Sequence, residues 1–149
     1  MIIATNLPKR ISILTKVIES LDNHLEYSSS NALSHALLMR ADCYIEQYQI
    51  PPTSTTTTIT TTTTPVQENT NTNSIMDDEI QAALHDAIKA TSINHLHGRS
   101  YRVQADAYEL LGDILKAMEA VEEWAKVNPA FMSKAKNELS RLSSSVKKM

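Results

Sequence analysis

Glycine and aromatic residues are scarce. The 149-residue chain holds 2 glycines, and aromatics make up 5% of it. Antiparallel sandwiches and barrels draw on glycine-bearing turns and aromatic strand formers, so the composition argues against an all-β fold. A single cysteine, Cys43, leaves no intramolecular disulfide and no cysteine-ligated zinc. Neither sign of charge dominates: 14 Lys and Arg stand against 17 Asp and Glu, for a net charge of -3. Binders of nucleic acid or of anionic membranes concentrate positive charge, so neither partner is expected. No apolar run approaches the roughly 20 residues of a membrane span. The opening MIIATNLPKR places its apolar residues before its charges and does not read as a signal peptide. A soluble, reduced, cytoplasmic protein is expected. Hydrophobic residues, at 42%, are enough for a core.

One segment differs from its surroundings. Residues 50–76 read IPPTSTTTTITTTTTPVQENTNTNSIM, dominated by threonine. Such a stretch cannot bury enough apolar surface to offset the entropy of ordering it, and a disordered insertion is expected. The flanking parts, 8–49 and 77–147, are expected to form one helical domain.

Outside that segment the apolar residues recur with helical period. Leu14, Val17, Ile18, Leu21 and Leu25 share one face of a helix that starts near Pro8. Leu37, Ala41, Tyr44 and Ile45 share a face of a second, over about 31–49. Asp77, Asp78 and Glu79 suit the first turn of a third, with Ile80, Ala83, Leu84, Ala87 and Ile88 inward. A fourth is expected over about 99–111, with Tyr101, Ala105 and Tyr108 inward, ended by Gly112. A fifth runs from about 113 to 127 and stops at Asn128-Pro129, and a sixth covers about 130–147. Short connections make the whole an all-α antiparallel array.

Two blocks repeat. LLMRADCYIEQ, from Leu37, and YRVQADAYELLGD, from Tyr101, share Ala-Asp-x-Tyr with a large side chain four residues before the Ala. Behind each lies a further helical block, AALHDAIKATSIN from Ala82 and KAMEAVEEWAKVNP from Lys116. The pair of blocks resembles the tetratricopeptide repeat family, whose unit is two antiparallel helices in 34 residues. The second copy matches through Tyr101, Ala105, Tyr108, Leu111-Gly112-Asp113, Ala117 and Asn128-Pro129. His95 lies one repeat length before Pro129, and Ala83, Asp86 and Ala90 then fall on the second helix of the first copy. That copy lacks the Leu-Gly turn and the closing proline. Trp124 stands where alanine is usual, so either packing loosens there or the ring reaches outward.

The resemblance implies a right-handed superhelical array of helix pairs. Two copies fall short of the three or so that bury a stacked core, so the first and last helices are expected to act as caps. The insertion would lie in the turn between the helices of the first copy. Lengthening that turn from about 3 to about 27 residues costs about 2 kcal/mol, which an array tolerates.

Chemistry-bearing groups are few. His95 and His97, with His85 nearby, lack the further ligands and geometry that a metal needs. Cys43 has no base indicated beside it. Adjacent carboxylates such as Glu122 and Glu123 point apart on one helix. Neither glycine makes a phosphate loop. No enzyme, cofactor or metal site is expected.

The family resemblance instead implies a protein-binding adaptor whose first helices line a groove. Carried over, the groove positions are His35, Leu38, Met39, Asp42, Ile45 and Glu46 in the first copy. In the second they are Arg99, Arg102, Val103, Asp106, Glu109 and Leu110. Arg99 and Arg102, three apart, suit an acidic or C-terminal segment of a partner protein or peptide. One subgroup of the family binds the C-terminal carboxylates of Hsp70 and Hsp90 chaperones, and that co-chaperone role is the alternative. Met39 and Val103 replace the asparagine and the arginine that such a site needs. A second alternative is a structural subunit of a larger helical assembly.

Overall fold

A computed structural model describes residues 6–24, 27–50 and 72–148, and the side chains of 6–24, 30–50 and 76–148. The expected disordered stretch falls, over 51–71, outside the described residues.

The helices are α1 (Leu7–Asp22), α2 (Tyr27–Gln49), α3 (Thr72–Ile93), α4 (Gly98–Leu110), α5 (Ile114–Val127) and α6 (Met132–Val146). A 3-10 turn, Pro129–Phe131, leads into α6. The described residues hold no strand, so the fold is all-α. Each helix packs on its neighbours in sequence, and α2 also touches α4.

Local chemistry explains the joints. Pro8 lies in the first turn of α1, where its missing N–H costs nothing. Asn94 Oδ1 accepts the Leu96 N–H at 3.1 Å and turns the chain between α3 and α4. Helix α4 ends in a Schellman motif: Asp113 N–H donates to Tyr108 O at 2.9 Å and Gly112 N–H to Glu109 O at 3.0 Å. This motif puts Gly112 at φ +79°, a left-handed conformation that suits glycine. Asp113 then caps α5, accepting the Lys116 N–H at 3.3 Å. Pro129 bars any continuation of α5.

The core has two parts that meet at α4. Between α1, α2, α3 and α4 lie Ile18, Leu33, Leu37, Ala41, Ile80 and Ala87, with Val103 and Ala107 from α4. Between α4, α5 and α6 lie Ala105, Ala117, Val121, Trp124, Ala135 and Leu142. Tyr108 touches both. Alanines dominate the contacts, so helices approach closely and one large ring fills what remains.

The first core also encloses a salt bridge. Asp86 is 1% exposed. Its two carboxylate oxygens accept from Arg40 Nε and Nη2 at 2.7 Å each, and Arg40 Nη1 donates to Thr15 Oγ1 at 3.0 Å. One guanidinium thereby ties α1, α2 and α3. The hydrogen bonds to Asp86 hold Arg40 above its ordinary pKa, against the opposing effect of burial.

Helix bounds and faces depart from the sequence expectations at four points, and the alternative left open at Trp124 is decided. Helix α3 starts at Thr72, so Asp77, Asp78 and Glu79 lie beyond its first turn and do not cap it. Helix α2 likewise starts earlier, at Tyr27. Helix α1 stops at Asp22, with Leu25 outside the described residues. Val17 and Ile88, expected inward, are 41% and 46% exposed; among the described helices α1 packs on α2 alone and α3 on α2 and α4 alone. Trp124 does not reach outward: it is 7% exposed, stacked on Phe131 with ring centres 5.7 Å apart. Space for it comes from Gly98, where a Cβ would lie 3.2 Å from Trp124 Cδ1 and 1.5 Å from Asn128 Nδ2.

Candidate functional site

Three of the expected groove positions are core residues. Leu38 is fully buried, Ile45 and Val103 are nearly so, and all three pack in the first cluster. Helices α2 and α4 are covered on more than one side, so their buried stripe is wider than the helical pattern suggests. Leu110 is half-buried and leans on the same cluster. His35, Met39 and Glu46 are exposed on α2, and Asp42 is partly so. Arg99 is exposed at the start of α4, and Arg102, Asp106 and Glu109 follow it half-buried.

These surface residues are linked by charge. Arg99 Nη2 donates to Asp42 Oδ2, bridging α4 and α2. Arg102 meets Asp106 at 3.0 Å on its own helix and Glu138 of α6 at 3.1 Å. Arg141 of α6 grips Glu109 through two hydrogen bonds of 2.6 Å and Glu138 at 2.7 Å. Helices α2, α4 and α6 are therefore joined along one line by ion pairs. Glu138 and Arg141 were not among the expected site residues. Their i,i+3 spacing on the last helix is the available signal.

Several ionisations are shifted along this line. Burial pushes the Asp106 carboxyl up, against the pull of Arg102. The Arg141 hydrogen bond holds Glu138 below the usual carboxylate range. Hydrogen bonds to Glu109 and Glu138 raise Arg141. A recess of about 500 Å³ opens beside Arg102, Asp106, Glu109, Leu110 and Gln49. Exposed ion pairs contribute little to stability individually, about 0–1 kcal/mol.

The other chemistry-bearing side chains lie apart from this line. Cys43 is fully buried, and burial pushes its thiol up, away from the reactive thiolate. His85 and His95 are exposed, and burial lowers the pKa of His97. Among the described residues no group of three His, Cys, Asp or Glu side chains is placed to hold a metal ion. No described helix is long and apolar enough to cross a membrane.

Compared with known proteins, the chain matches no family model, no curated protein and no solved structure.

Proposed function

We propose that the chain is a non-enzymatic adaptor: a short tetratricopeptide-type, right-handed array whose α2 and α4 present one face to a protein or peptide partner. The observation that carries this reading is the placement of the repeated motif. Ala41 and Ala105 are buried, Asp42 and Asp106 meet arginines at the surface, and Tyr44 and Tyr108 are half-buried. The alanine and the tyrosine take the same places in successive helix pairs, as in a stack of like units, whereas Asp42 pairs across to α4 and Asp106 within it. Helices α1 and α6 close the two ends. The unpaired Cys43 accords with a reducing, cytoplasmic location.

A chaperone-tail binder is the weaker alternative. Val103 is buried, Met39 has no N–H to offer, and Arg99 already serves Asp42. The exposed Ile13 and Val17 on α1 favour another reading, a subunit whose array continues in an assembly. A monomer at every concentration in sedimentation would count against it.

Affinity capture with the full chain, followed by titration with the purified partner, tests the adaptor reading. Arg99→Ala with Arg102→Ala should weaken binding. Added salt should do the same, since exposed charges are screened within about 8–10 Å. An unchanged affinity in the double variant removes the α2–α4 face as the contact.

A further inference from the structure

Helices α5 and α1 carry unpaired charges of opposite sign. On α5 the exposed residues Leu115, Glu119 and Glu122 follow at i, i+4 and i+7 and share one stripe. Leu115 is 67% exposed. Among the described residues neither of these glutamates makes an ion pair. The two lysines of the helix are engaged elsewhere, Lys116 with Asp113 at 2.7 Å and Lys126 with Glu123. Beside the stripe a recess of about 330 Å³ lies between α4 and α5, lined by Tyr101 and Tyr108 together with Glu119 and Glu122. The Lys116 ammonium lies 5.6 Å from the centre of the Tyr108 ring, so this margin already holds one ammonium against a ring face.

Helix α1 offers the complement. Lys9, Ile13 and Lys16 repeat the i, i+4, i+7 spacing, and Val17 follows Ile13 on the same side. All four are exposed, and among the described helices α1 packs on α2 alone. Arg10 of this helix lies 3.6 Å from Glu46, whereas Lys9 and Lys16 make no ion pair among the described residues. Two unpaired lysines thus accompany an exposed apolar pair on α1, and two unpaired glutamates accompany an exposed leucine on α5. The helices are of similar length, 16 and 14 residues. They do not touch within one chain, so the stripes can meet only between copies.

We propose that α1 of one copy docks along α5 of a second copy, with Lys9 and Lys16 against Glu119 and Glu122 and with Ile13 and Val17 covering Leu115. The occupant is a like chain because this chain itself supplies the charges, the apolar residues and the spacing. Docking removes the three apolar side chains from water and gives four unpaired charges their counter-charges. Each copy carries both stripes, so a two-fold pair makes the contact twice. Here α1 meets the flank of its neighbour, not the end of its array. The α2–α4 face is not used, since Tyr101 and Tyr108 leave α4 on another side from Arg102, Asp106 and Glu109. The proposal therefore goes beyond the adaptor reading and can fail without it.

Sedimentation equilibrium of the full chain over a range of concentrations tests the contact. The wild type should pass from the 16.6 kDa single chain to larger species as concentration rises, and added salt should oppose this. Lys9→Glu with Lys16→Glu should weaken self-association at least tenfold, and so should Glu119→Lys with Glu122→Lys. Mixed together, these two variants should associate again, because each then meets the opposite sign. The quadruple variant keeps the net charge of -3 and should also associate, which separates a specific pairing from net charge. Ile13→Ser with Val17→Ser should weaken association likewise, with helicity unchanged in circular dichroism. A single chain at every concentration up to about 1 mM overturns the proposal and leaves the adaptor reading standing. Association that ignores both charge reversals, or that neither the mixture nor the quadruple variant restores, overturns it as well.

Discussion

Removing either partner of the Arg40–Asp86 pair should be among the most damaging single changes to this fold. Asp86 is buried and accepts two hydrogen bonds of 2.7 Å from one guanidinium. Asp86→Ala strands Arg40, whose side chain is 17% exposed, with the Thr15 hydroxyl still accepting from it. An uncompensated buried charge of this kind costs about 3–5 kcal/mol. The total stability of such a domain is about 5–15 kcal/mol. For a chain of this length each kcal/mol moves the midpoint by about 2–4 °C, so Asp86→Ala should lower Tm by about 6–20 °C. Arg40→Met should cost a similar amount by leaving the Asp86 carboxylate alone. The double variant Arg40→Met with Asp86→Ala should lose much less than the sum of the two single losses, because no charge is then left inside. Urea denaturation of the four proteins, followed by circular dichroism, gives the cycle. Additive losses in the double variant would refute the pair as a coupled unit, and two harmless single variants would refute its burial.

Four further outcomes are expected. Ala105→Leu overpacks the contact between α4, α5 and α6 and should cost about 1–3 kcal/mol in urea denaturation, whereas a neutral result contradicts the close approach of these helices. Gly98→Ala should destabilise through a clash with Asn128, and Gly98→Ala with Asn128→Ala should restore part of the loss on thermal melting. Replacing residues 51–71 by a short turn should leave the far-ultraviolet spectrum unchanged and raise stability by up to about 2 kcal/mol through easier loop closure. The Glu138 carboxyl is held down by Arg141, so its contribution is present above the ordinary glutamate range and is lost as pH falls through its lowered folded value. Glu138→Gln should therefore flatten the acid limb of the stability–pH curve.

Features decided by short-range chemistry were legible in the sequence. Pro129 stops α5 and Gly112 turns the chain, each through geometry within a few residues. The alternation of Ala41 and Ala105 with large neighbours announced the buried stripe. Features decided by tertiary surroundings were not. A helical pattern gives the centre of a stripe but not its edges, so Leu38 and Val103 read as surface and are core, Ile45 reads as both apolar face and groove and is core, while Ile88 reads as core and is exposed. The first turns of α3 are drawn from threonine and asparagine, weak helix formers, and propensity placed the start too late. Arg40 and Asp86 are 46 residues apart, and nothing local announces that they meet. For the candidate face, the sequence pointed to Arg99 and Arg102 and to Asp42 and Asp106, but not to Glu138. Glu138 lies on α6, brought close to Arg102 only by the packing of the helices.

The central claim is that α2 and α4 form the contact surface for a partner. Backbone-amide chemical-shift mapping of the full chain against its captured partner tests it most directly. The account predicts the largest shifts at His35, Met39, Glu46, Arg99, Arg102 and Glu109. Shifts confined to the exposed residues Gln81, His85 and Ile88 of α3 and Glu119 and Glu122 of α5 would contradict it.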